Sequence, residues 1–190
     1  MRMFVALSLP EAVKEDLADF LEPRQEAGPD LRWSLPEQWH VTLAFLAEVA
    51  DRHTDELSER LQRAAARRKP LVLQLGGAGA FPNAGHAKVL YTGIEHDGEE
   101  LMRLAGGVRA AGSKSGIVVG GGRFLPHLTL ARLSRPADVT RWLRVLEPYA
   151  GPSWQAREVA LIASYLGQGP HGRSRHEVRE TFQLGPPSMG

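Results

Sequence analysis

The chain has 190 residues, 43% of them apolar, 24% charged and none cysteine. That is enough apolar content for one globular core, and it excludes disulfides, a thiol nucleophile and thiolate metal sites. The net charge of +1 hides an asymmetry: residues 1–100 carry 11 Lys and Arg against 17 Asp and Glu, and residues 101–190 carry 12 against 5, so a polyanion is drawn to the second half unless the excess is ordinary surface charge.

Residues 2–8 read as a strand. Pro10 suits the first turn of a helix whose buried face is Val13, Leu17, Phe20 and Leu21. Pro23 to Asp30 reads as a loop. A strand begins at His40; Trp39 before it reads first as core, with a cleft-rim or base-stacking place as the alternatives. Thr54 is placed to cap a second helix that turns Leu57, Leu61, Ala64 and Ala65 inward, and Arg67, Arg68 and Lys69 close it at the negative end of its dipole. Leu71 to Leu75 is a strand. Gly76 to Gly85 is a glycine-rich loop that lacks the GxxxxGK[ST] phosphate-loop pattern. Phe81 and Pro82 within it either border a cleft or pack.

Lys88 to Ile94 opens a second series. Asp97, with Glu100 three residues on, is placed to cap a helix whose stripe is Leu101, Leu104, Val108 and Ala111. Ser113 to Gly122 is a loop, a strand begins at His127, and Val139, Trp142, Leu143 and Leu146 form a helical stripe. Residues 154–163 and 175–184 read as two closing strands joined by the glycine-rich segment 167–172. No apolar run approaches the ~20 residues of a membrane span. The apolar residues 3–9 lack the length and cleavage pattern of a signal peptide, so a cytoplasmic protein is expected.

Two stretches carry the chemistry. His40-Val41-Thr42-Leu43-Ala44-Phe45-Leu46 and His127-Leu128-Thr129-Leu130-Ala131-Arg132-Leu133 both read His-x-Thr-Leu-Ala-x-Leu, 87 residues apart. Strand alternation puts His40, Thr42 and Ala44 on one face and Val41, Leu43 and Phe45 on the other, and likewise for the second copy. An imidazole with its ordinary pKa of about 6.5 gives or takes a proton at neutral pH. Two of them across a reacting centre serve as general base and general acid, while two threonine hydroxyls bind charged oxygens between them. Such an arrangement suits in-line attack on phosphorus. One His-x-Thr alone means little, but a structural duplication would keep the apolar face without keeping His and Thr both times.

The spacing extends the repeat. Phe4 to His40 and Tyr91 to His127 both span 36 residues, and His40 to Val72 and His127 to Val159 both span 32. The expectation is therefore an α+β fold with internally duplicated β-α-β-α-β halves, bilobal, with antiparallel sheets flanking a central cleft. It would be a single domain over 1–190, with pseudo-two-fold lobes over about 1–80 and 86–185. Arg132 follows His127 by five residues, so strict alternation puts it opposite the histidine unless a bulge or the strand end turns it. His53 and His96 fall at helix starts, His86 in a loop, and His171 and His176 beside the C-terminal hairpin; all five are read as surface residues, though the last two are near enough to rim the cleft.

At these residues the chain resembles the two-histidine phosphoesterases, and among them the RNA 2′,3′-cyclic phosphodiesterases, also called 2′–5′ RNA ligases. The resemblance covers nearly the whole length. It includes Arg2 to Pro10, Trp39 to Val49 and Pro126 to Arg132. Gly172 to Glu177 resembles a segment that usually has Tyr at the place of His176, and Ala47 stands where Gly is common. The resemblance implies hydrolysis of a terminal 2′,3′-cyclic phosphate on RNA to a 2′-phosphomonoester. His40 would be the proton donor and His127 the proton acceptor, with Thr42, Thr129 and Arg132 binding the phosphate. It also implies possible reversible 2′–5′ ligation, no cofactor and no metal. The expected partners are RNA ends or nucleotides bearing 2′,3′-cyclic phosphate, bound by a monomer away from membranes. The competing reading is a non-catalytic nucleotide or RNA-end binding module on the same fold; two proton-transfer groups argue against it. A zinc enzyme is the third class, and two imidazoles without paired carboxylates on their face are a poor zinc set.

Overall fold

In the computed structural model, which describes residues 1–28 and 30–186, the chain runs β1 Met3–Ser8, α1 Glu11–Gln25, β2 Arg32–Trp33, β3 His40–Leu46, α2 Asp51–Ala66, β4 Leu71–Phe81, β5 Ala87–His96, α3 Glu100–Lys114, β6 His127–Ala137, α4 Thr140–Leu146, β7 Trp154–Ala156, β8 Glu158–Tyr165 and β9 Arg175–Gln183. One sheet has the order β3-β1-β8-β9 and the other β2-β6-β5-β4-β7, all neighbours antiparallel. The fold is α+β, as the hydrophobic periods require.

β1 is the keel of the first sheet because both its faces are apolar. Met3, Val5 and Leu7 enter the main core with the apolar stripes of α1, α2 and α3, while Phe4 and Ala6 form a separate small cluster with Ala160 and Ile162. α1 buries Val13, Leu17 and Leu21, and half-buried Phe20 lies 4.6 Å from the Tyr149 ring. This helix runs three residues past the expected stop, through Gln25. Pro23 sits in its last turn, and the Arg24 guanidinium donates to the Phe20 carbonyl at 2.6 Å, supplying a donor where the helix ladder ends. α2 begins at Asp51, so Thr54 lies inside it and caps nothing; α3 likewise begins after Glu99, and Asp97 makes no cap.

Two expectations about the strands are corrected. The glycine-rich stretch after Leu75 is not a loop: β4 continues through it to Phe81, with a register shift between Gly76 and Gly79. The expected strand 154–163 is two strands, and the break at Arg157 carries the chain from one sheet to the other, since β7 pairs with β4 and β8 with β1. The sheets therefore do not follow lobes 1–80 and 86–185. The sheet of His40 takes β8 and β9 from the second half, and the sheet of His127 takes β2 and β4 from the first.

The offset of 87 holds only for the two motif strands. Ala6 lies opposite Thr42 and Tyr91 opposite Thr129, so the opening strands are offset by 85 and the counterpart of Phe4 is Val89. Ala160 lies opposite Ala6 and Gly79 opposite Tyr91, which offsets the closing strands by 81. Matching insertions in two strands erase a constant spacing without disturbing the pairing.

Candidate active site

Each motif strand carries a β-bulge at the same place. Val5 pairs with Ala44 and Ala6 with Thr42, leaving Leu43 extra; Leu90 pairs with Ala131 and Tyr91 with Thr129, leaving Leu130 extra. A bulge advances the side-chain alternation by one residue. Ala44 and Ala131 consequently turn into the core, at 3% and 0% exposed, while Phe45 turns outward at 51%. Arg132 turns the same way. The simple alternation that placed Ala44 beside His40 fails here, and the same bulge brings Arg132 to the histidine face.

His40, Thr42, His127, Thr129 and Arg132 all line one cleft of about 660 Å³ between the sheets. The Nδ1 of His40 lies 3.1 Å from the Gln38 carbonyl, and the Nδ1 of His127 lies 2.7 Å from the Leu125 carbonyl. A carbonyl only accepts, so each Nδ1 carries the proton and donates it. That leaves each Nε2 as the reactive nitrogen, a base when the ring is neutral and an acid when it is charged.

Aromatic rings hold these imidazoles from the side. The His40 ring meets Phe4 at 5.6 Å and His176 at 5.5 Å; the His127 ring meets Phe81 at 4.9 Å and Tyr91 at 5.3 Å. Phe81 and Tyr91 stack at 4.5 Å. Gly79 makes room for this stack, since a Cβ there would lie 2.2 Å from the Tyr91 ring.

Burial lowers the pKa of both histidines by penalising their charged forms. His40 falls to about 4, with burial the largest cause; its bond to Gln38 opposes the shift, and His176 and Lys14 add to it. His127 is also lowered by burial, its bond to Leu125 opposing and Arg132 adding. Both are neutral at pH 7 in the free protein. The cleft surface is cationic: Arg2, Arg32, Arg132 and Arg173 line it, and no Asp or Glu is among its described lining residues. Two of these arginines come from the acidic half of the sequence and two from the basic half, so both halves supply the cationic lining. Among the described residues no group of three or more His, Cys, Asp or Glu is placed to hold a metal ion.

The LigT-like phosphoesterase family model matches residues 7–91, which include His40 and Thr42. An RNA 2′,3′-cyclic phosphodiesterase of Thermus thermophilus is 35% identical to the chain, covering 97% of it and 90% of the relative. The chain belongs to the RNA 2′,3′-cyclic phosphodiesterase family. A relative of the same name in Aquifex aeolicus is 26% identical over 97% of the chain and 98% of its own length. A crystal structure from Thermus thermophilus superposes with a TM-score of 0.78 at 32% identity, covering 98% of this chain and all of that one. Escherichia coli LigT superposes in its apo form with a TM-score of 0.77 at 25% identity over 97% of both chains, and it has also been crystallised with 3′-AMP.

Within this phosphodiesterase family chain, His176 is the residue that the sequence reading misjudged. It lies in the cleft, half-buried, 5.0 Å from Phe4, and its Nδ1 has no partner. The one signal that pointed to it was its place in the segment Gly172 to Glu177, where relatives usually have Tyr. Arg2, Arg32 and Arg173 gave no signal, because only the pairing of distant strands brings them together. His171 lines a neighbouring chamber instead of the cleft, and no described contact brings His53, His86 or His96 to it.

Proposed function

We propose that this protein hydrolyses the terminal 2′,3′-cyclic phosphate of RNA to a 2′-phosphomonoester without a metal. Water attacks phosphorus and loses a proton to His127 Nε2; the bond from phosphorus to the 3′ oxygen breaks, and that oxygen takes a proton from His40 Nε2. Solvent then resets the two rings. Thr42 and Thr129 donate hydrogen bonds to the non-bridging oxygens, and Arg132 offsets the charge that grows on them. The observation that carries this reading is the pair of imidazoles in one acid-free cleft, each fixed by the same backbone bond so that Nε2 is the free nitrogen.

His40 at about 4 is a poor proton carrier in the free protein. An anionic phosphate beside it favours its charged form and raises that value, so the donor is armed by the substrate it acts on. The test uses 2′,3′-cyclic AMP in EDTA, with His40→Ala and His127→Ala each expected to lose about 10²–10⁴-fold in kcat. A second substrate with sulfur at the bridging 3′ position separates the roles, because a thiolate leaves without a proton. On it His40→Ala is expected to recover to within about tenfold of the parent, while His127→Ala stays slow. Recovery by His127→Ala instead would exchange the two assignments.

A further inference from the structure

A second hollow of about 670 Å³ adjoins the cleft, walled by α1 on one side and by the segments around Trp33 and His171 on the other. Trp33, Ser34 and Arg173 belong to both hollows. We propose that this chamber is a nucleoside subsite, which takes the nucleotide on the 5′ side of the cyclic phosphate and makes the protein prefer an oligonucleotide end over a cyclic mononucleotide. The inference rests on the reading of the cleft as the site of the cyclic phosphate.

Three observations carry it. The chamber volume falls in the range of about 300–1,000 Å³ typical of small-ligand sites, and its walls suit a base more than a phosphate: Leu35 and Pro36 offer apolar surface, and Glu22 and Gln25 offer acceptors and a donor for base edges. Single-stranded RNA ends are recognised with their bases unstacked and hydrogen-bonded along the edges. Trp39 is 1% exposed and its indole N–H has no acceptor, a state expected of a site that a ligand or a water completes. The third is position. A cyclic phosphate sits at the 3′ end of RNA, so the next nucleoside hangs from a phosphodiester on the 5′ side. The Arg173 guanidinium, anchored to the Trp33 carbonyl at 2.9 Å, stands on the shared rim where that phosphodiester must cross, and His171 lies beside it in the chamber wall.

The experiment compares 2′,3′-cyclic AMP with the dinucleotide ApA ending in a 2′,3′-cyclic phosphate, for the parent protein, Glu22→Trp, which fills the chamber from an exposed wall position, and Gln25→Ala. The parent is expected to show a kcat/KM at least about tenfold higher on the dinucleotide. Glu22→Trp is expected to erase that advantage with turnover of cyclic AMP unchanged, and Gln25→Ala to reduce it. Equal rates on both substrates in the parent would overturn the inference, as would an advantage that neither variant alters. The same three proteins are titrated with 2′-AMP and with ApA bearing a terminal 2′-phosphate. If neither cyclic phosphate is cleaved, the assigned activity fails, and binding still decides the chamber: tighter binding of the dinucleotide that Glu22→Trp abolishes supports it, and equal binding refutes it.

Discussion

A carbonyl two residues back fixes each imidazole of the cleft, and this is the smallest device in the site. Gln38 and Leu125 accept from Nδ1, so both rings present Nε2 whichever way the protons later move. Burial then holds both rings neutral. The kinetic consequence is specific. At pH 7 a free group with a pKa of about 4 is protonated in roughly one molecule per thousand. The proposed mechanism requires one charged and one neutral imidazole, so kcat/KM, which reports the free enzyme, is expected to show an acid limb near 4. It should fall about tenfold per pH unit on the alkaline side, from a midpoint below the ordinary histidine value of 6.5. The kcat profile reports the complex, where the phosphate raises His40, so its alkaline limb is expected at higher pH. A pH–rate series from 4 to 9 on 2′,3′-cyclic AMP checks both. A kcat/KM that stays level up to pH 8 would mean that neither imidazole needs a proton on binding. Only part of this was legible beforehand: the residue types and their duplication gave the pair of histidines, but desolvation depends on rings such as Phe4 that arrive from other strands.

At the scale of the element, the bulged strand does what a regular one cannot. Five residues separate His127 from Arg132, and regular pleating would put them on opposite faces. The extra residue Leu130 reverses the phase, and Leu43 does the same for Phe45. The sequence permits a bulge but does not announce one, which is why Arg132 was ambiguous while His127 and Thr129 were not. β4 was misread for a related reason: four glycines over residues 76–85 suggest a loop, yet Gly79 is demanded by a neighbour's ring within a continuing strand. That claim is open to a double-mutant cycle. Gly79→Ala places a methyl 2.2 Å from Tyr91 ring atoms, so the ring must leave the Phe81 and His127 contacts. The single variant is expected to lose about 1–3 kcal/mol of stability and to lower kcat on 2′,3′-cyclic AMP. In a Tyr91→Ala background the same change is expected to be nearly silent, because the clash has gone. Thermal melts and kcat for the four proteins measure the coupling; additive losses would show that Gly79 matters for its backbone and not for the Tyr91 ring.

Across the whole molecule the exchange of closing strands explains why the duplication is visible in sequence while its lobes are not. Periodicity and the paired motifs marked most of the helices and strands, but partner choice is a long-range matter. β4 lies sandwiched between β5 and β7, both from the second half, and β8 lies against β1 from the first. Each half thus contributes two strands to the sheet of the other, β8 and β9 to one and β2 and β4 to the other, and the cleft between His40 and His127 exists only once both exchanges are made. A fragment ending at His86 keeps α1, α2 and the β1–β3 pair, but β1 loses β8 and β4 loses both neighbours. Two-stranded pairs are marginal in water, and the exposed strand edges invite association. Residues 1–86 alone are therefore expected to show no cooperative thermal transition by circular dichroism. Mixing with residues 87–190 is expected to restore one transition together with hydrolysis of 2′,3′-cyclic AMP, because the missing neighbours then come from the second chain. If the first fragment melts cooperatively by itself, its strands have found partners within residues 1–86, and the exchanged pairing cannot be what holds the two histidines across one cleft.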